Sequence, residues 1–84
     1  MKKQLNEVVV GDRVRVIKDV MVMLPSGRKI NAVGKTGVVG SITINTFHPL
    51  TYPIDIIFDE DNFHQQFSVD ELWFIESMDF EIQL

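Results

Sequence analysis

His48 and His64 are the only imidazoles in this 84-residue chain, and with twelve aspartates and glutamates they are the side chains best suited to moving a proton or holding a metal. Their spacing supports neither task. Fifteen residues of unrelated sequence separate the two histidines, so they form no local metal clamp, and no His-Glu-x-x-His run occurs. Asp59-Glu60-Asp61 could attract a hard cation, but the run lacks the glycine at the sixth position and the glutamate at the twelfth that a calcium loop requires. A solvated turn is the expectation. With no cysteine there is no thiolate nucleophile, no thiolate metal site and no disulfide, and neither a Gly-x-Ser-x-Gly elbow nor a phosphate loop is present. No pair of carboxylates is set apart by its spacing for acid–base work. The expectation is a protein that is not an enzyme and carries no cofactor.

The charges are informative in another way. All eight lysines and arginines lie in the first 35 positions, whereas nine of the twelve acids lie from Asp55 onward. Either these charges pair across strands and solvate the surface, or they form a basic and an acidic face that steers a charged partner. Under the second reading Arg13, Arg15, Arg28 and Lys29 are the steering set. Apolar anchors would come from Met21 and Met23, since methionine repacks readily against a partner, and from Phe80 and Ile82 near the C-terminus.

These residues must be carried by strands. Short β-rich runs alternate with turn residues, and no stretch has a helical period, so an all-β barrel in a single domain is expected, with a core unit at 9–76. Strand one should run from Arg13 to Lys18 with Val14 and Val16 inward. Val20 to Leu24 and Arg28 to Val33 then form a long hairpin across Pro25-Ser26-Gly27, with Met21 and Met23 on one face and Val20, Val22 and Leu24 on the other. That hairpin is expected to fold over the open end of the barrel and bury both faces. If one face stays uncovered, it is a contact surface. Further strands are expected at Gly37–Asn45, where Gly40 marks a bend, then from Pro53 through Asp59 and at Phe63–Ser68, followed by one helical turn at Val69–Leu72 and a last strand through Ile75.

Past that point Met78, Phe80, Ile82 and Leu84 alternate with Asp79, Glu81 and Gln83, which is a strand pattern. This C-terminal strand at 77–84 either adds to the barrel edge or pairs with a partner chain or a second copy, giving a homo-oligomer. Nothing in the chain approaches the length of a membrane span, and the amides and charge after Met1-Lys2-Lys3 interrupt any apolar leader. A cytoplasmic location, or a peripheral one on a larger complex, is expected, without membrane insertion.

From Val10 to Ile75 the chain resembles a known family. Gly11-Asp12-Arg13-Val14-Arg15-Val16, the hairpin, Gly34-x-x-Gly37-x-Val39, Tyr52-Pro53 through Phe58-Asp59, and Phe67-x-x-Asp70-Glu71-Leu72 are similar to the SH3-like barrels of photosynthetic electron transfer. These are the variable chain of ferredoxin–thioredoxin reductase and the ferredoxin-docking subunit of photosystem I. The resemblance implies an SH3-like barrel of about five strands, with a long hairpin after strand one. It further implies a noncatalytic accessory subunit that packs on a redox partner, an iron–sulfur subunit or ferredoxin, and shapes its docking surface. Gly11 to Val16 with Gly34 to Val39 also looks like the KOW-type barrels of ribosomal and transcription proteins. The late acids and a pI near 4.9 oppose nucleic-acid binding, which ranks below a protein partner.

Overall fold

The computed structural model describes residues 1–60 and 62–76 and is all-β, as expected. A 3-10 turn at Leu5–Glu7 precedes seven strands: β1 (Arg13–Val16), β2 (Met21–Met23), β3 (Lys29–Asn31), β4 (Thr36–Ile42), β5 (Ile54–Phe58), β6 (His64–Phe67) and β7 (Leu72–Ile75). A second 3-10 turn, Val69–Glu71, links the last two. Five strands form one antiparallel sheet in the order β6-β5-β4-β1-β7, and β2 and β3 form a separate hairpin. The expected C-terminal strand at 77–84 lies outside the described residues.

Alternation decides which side chains build the core. In β1, Val14 and Val16 are buried while Arg15 is exposed, and in β5, Ile54, Ile56 and Phe58 point inward. Phe58 stacks on Phe63 with ring centroids 4.7 Å apart and meets Phe67 edge-on at 5.8 Å. Phe67 of β6 and Leu72 and Phe74 of β7 enter the same cluster, although these strands are the two edges of the sheet. The connection between them explains how. Residues 68–71, mostly a 3-10 turn rising about 2 Å per residue, are too short for the roughly 19 Å between the edges of a flat five-strand sheet. The sheet therefore curls around its core, with no ladder between β6 and β7 among the described residues.

Two strand ends fall short of expectation for local reasons. β1 stops at Val16 because the next pair is only half made: the Ile17 amide donates to the Glu71 carbonyl at 2.9 Å, but the Glu71 amide turns to the Ser68 carbonyl inside the 3-10 turn. β4 stops at Ile42, where the Thr43 amide donates to the Pro53 carbonyl and closes the base of a loop. Within β4 the register jumps between Val39, opposite Ile56, and Ser41, opposite Asp55, so Gly40 is the extra residue of a bulge. The bulge shifts parity: Val39 is buried before it, and Ile42 packs on the core after it. At Gly37 a Cβ would collide with the Ile57 carbonyl oxygen and lie 2.9 Å from Ile56 Cγ2, so the neighbouring strand leaves no room for a side chain.

Candidate docking surface

The hairpin β2–β3 is fastened to the domain by one face and by its base. Val22 is 2% exposed, and Val20, Leu24 and Ile30 pack on the same core. At the base the Ala32 amide donates to the Val20 carbonyl at 2.8 Å, and Asn31 Nδ2 donates to Asp19 Oδ1 at 3.0 Å. At the tip the Leu24 amide donates to the Arg28 carbonyl and the Gly27 amide to the Leu24 carbonyl, each at 2.8 Å, with Gly27 at φ +88°.

The other face is open. Met21 is 62% exposed and Met23 57%, so the expectation that both faces are buried is corrected: the core takes only the Val22 side. The physical reason is register. Met21 stands opposite Asn31 and Met23 opposite Lys29, and these four residues share the outward side while Val22 opposite Ile30 points in.

Charge separates the hairpin from the rest of the surface. Lys3 pairs with Asp12 at 2.9 Å, Lys18 with Asp70 at 3.0 Å, Lys35 with Glu60 at 3.3 Å, and Arg13 with Asp59. Three of these pairs join an early base to a late acid. Arg13 makes a fork, Nη1 and Nη2 donating to the two Asp59 oxygens at 2.6 and 2.8 Å, and the Thr36 hydroxyl donates to Asp59 at 2.6 Å. Those bonds, the guanidinium first and the hydroxyl second, hold the Asp59 carboxyl at about 2 against an ordinary 3.8. The same bond raises the pKa of Arg13. Asp70 is held at about 2 by the Ser68 hydroxyl and then by Lys18. By contrast, Arg15, Arg28 and Lys29 are exposed and make no ion pair among the described residues. Residues 20–33 contain no acid at all.

The structure thus distributes the expected site residues unevenly. Met21, Met23 and Lys29 share one face, whereas Arg28, exposed at the turn, stands opposite Leu24 and so on the alternate side of the ribbon. Arg15 is elsewhere, on the outer side of β1 opposite Thr36 and the 43% exposed Trp73. Arg13 is part of the ion-pair frame that joins β1 to the turn after β5. Phe80 and Ile82 lie outside the described residues.

Other groups with chemical potential are engaged locally. His64 Nδ1 lies 2.7 Å from Asp55 Oδ2, and no cluster of three metal-ligating side chains occurs among the described residues. A cleft of about 360 Å³ next to the Arg13–Asp59 pair is lined by Val33, Gly34, Lys35, Thr36, Phe58 and Glu60 as well as Asp59, and its lysine already pairs with its glutamate. A second apolar patch escaped the sequence reading. On the loop after β4, Ile44, Phe47, Leu50 and Tyr52 are exposed, Phe47 at 88%, while Asn45 Oδ1 accepts from the Phe47 and His48 amides. Its signal was available: residues 43–52 hold four large apolar side chains and no charge.

No helix among the described residues is long and apolar enough to cross a membrane. No protein-family model matches the chain, and no curated protein matches it.

Proposed function

We propose that this chain is a noncatalytic docking module that packs on a protein partner through the outward face of its hairpin. The observation that carries the reading is the shared outward face of Met21 and Met23, both more than half exposed, with Lys29, to which Arg28 adds a second cation at the tip while Asp19 is held at the base by Asn31. Such a face combines an adaptable apolar centre with a net positive charge, the combination that fits an acidic protein surface and speeds the encounter with it. Because Val22 anchors the ribbon in the core, the face is presented in a fixed position and little ordering entropy is lost on docking.

The resemblance to the variable chain of ferredoxin–thioredoxin reductase and to the photosystem I docking subunit supplies the partner class: an acidic iron–sulfur redox protein, with the present chain as its accessory subunit. Pairing of four of the eight basic residues with acids favours this over a nucleic-acid partner, which would need those cations for phosphates. The test is co-purification of the tagged chain from a native extract, read by the visible absorbance of an iron–sulfur cluster. The expected result is a stoichiometric cluster protein that is lost with Met21→Asp/Met23→Asp and with Arg28→Glu/Lys29→Glu. Recovery of the chain alone, or retention of the cluster protein by both variants, overturns the reading.

A further inference from the structure

The chain carries a segment of its own with the chemistry that the hairpin selects. Residues 78–84 contain Asp79 and Glu81, no base, and the apolar series Met78, Phe80, Ile82 and Leu84. The hairpin offers Met21 and Met23 with Lys29 on the same face and Arg28 at the tip, while its acid, Asp19, is held at the base by Asn31. Apolar matches apolar, and the charges are opposite. We propose that the C-terminal segment Met78–Leu84 of a second copy of this chain docks on the Met21–Met23 face of the hairpin, so that two copies exchange segments reciprocally. This rests on the same face as the docking function proposed above.

The direction of β7 selects a second copy over the same molecule. Leu72 stands opposite Val16 and Ile75 opposite Arg13. The hairpin base is tied to the Val16 end through the bonds Val16 N to Lys35 O, Lys35 N to Ala32 O, and Ala32 N to Val20 O. The chain therefore leaves β7 heading away from the hairpin. To return within one molecule it would have to reverse immediately and retrace the length of β1, about 10 Å at roughly 3.3 Å per residue. A turn and that retrace would use several of the segment's seven residues before it reached the hairpin base. Between two copies all four apolar residues are available, and a two-fold arrangement makes the contact twice. Each half offsets locally the repulsion between two chains of net charge -4.

Sedimentation equilibrium of three proteins tests this: the full chain, a chain ending at residue 77, and the full-length Met21→Asp/Met23→Asp variant. Circular dichroism checks that each remains folded. The full chain is expected to dimerise, and each altered chain is expected to weaken dimerisation at least about tenfold, the equivalent of about 1.4 kcal/mol. Mixing the two altered chains should form a heterodimer, because one retains an intact hairpin and the other an intact segment. A full chain that stays monomeric, a dimer that survives truncation, or a mixture that fails to associate overturns the proposal. So does a monomer whose hairpin amide resonances move on truncation, since that places the segment on its own molecule. Capture of the cluster protein, measured in the same series, separates this from the docking function: a truncated chain that captures it, beside a hairpin variant that does not, upholds docking whatever the dimer result.

Discussion

Arg13 and Asp59 are 46 residues apart and joined by two short bonds, and their strength is open to a direct pH test. A carboxyl lowered from 3.8 to about 2 corresponds at face value to roughly 2.5 kcal/mol, at about 1.36 kcal/mol per unit. The two side chains are 32% and 42% exposed, so solvent screening reduces the pair to about 1 kcal/mol. In a domain of this size that equals a shift in Tm of about 4–8 °C. The sign follows from the depressed native pKa. The contribution is complete above the unfolded carboxyl value near 3.8, and is lost as the pH falls through about 2. The assay is a double-mutant cycle of Arg13→Gln and Asp59→Asn by urea unfolding at pH 7 and near pH 2. A coupling of about 1 kcal/mol at pH 7 that collapses near pH 2 is expected. Zero coupling at pH 7, or one that persists undiminished in acid, refutes the reasoning.

Other substitutions probe the frame and the face separately. Gly37→Ala pushes a methyl group against the Ile57 carbonyl in a central strand pair and should cost about 1–3 kcal/mol in urea unfolding. Glu71→Ala removes the 2.8 Å bond from the Ser68 amide to the Glu71 carboxylate that starts the second 3-10 turn, and should cost about 1 kcal/mol in the same assay. Met21→Asp/Met23→Asp should leave stability within about 0.5 kcal/mol of the parent, because both side chains are mostly in water. Phe47→Ser, on the far more exposed loop, should change neither the melting curve beyond that same margin of about 0.5 kcal/mol nor capture of the partner by the hairpin.

Much of the frame was legible because strand periodicity is a local property. Val14 and Val16 in β1, the alternation from Ile54 to Phe58, and the helical turn before Leu72 all follow from nearest neighbours. Gly40 announced a bend, but not that the bulge would place Val39 and Ile42 on the same core. The turn at Leu5–Glu7 has too few residues to show a period. Its trace in the sequence is the spacing of Gln4 and Glu7, whose carboxylate accepts from the Gln4 amide at 2.8 Å. Least legible was the site. Whether Arg13 is a steering charge or a structural one depends on Asp59, which only the fold of β1 against β4 and β5 brings alongside. The alternation of Met21 and Met23 was readable, but its exposure depended on how much of the hairpin the core could cover. Phe80 and Ile82 lie outside the described residues, and their part rests on the association experiment.

The most direct measurement is photo-crosslinking from single positions. A benzophenone side chain placed at Met21, on the outward face of the hairpin, is compared with one placed at Ser41, exposed on β4. In a native extract the Met21 position should crosslink, besides a second copy of the chain, one other acidic protein, with a yield that falls as salt is raised, while the Ser41 position should give none. Crosslinking of a partner from Ser41 with none from Met21 would contradict the assignment of the hairpin as the docking face.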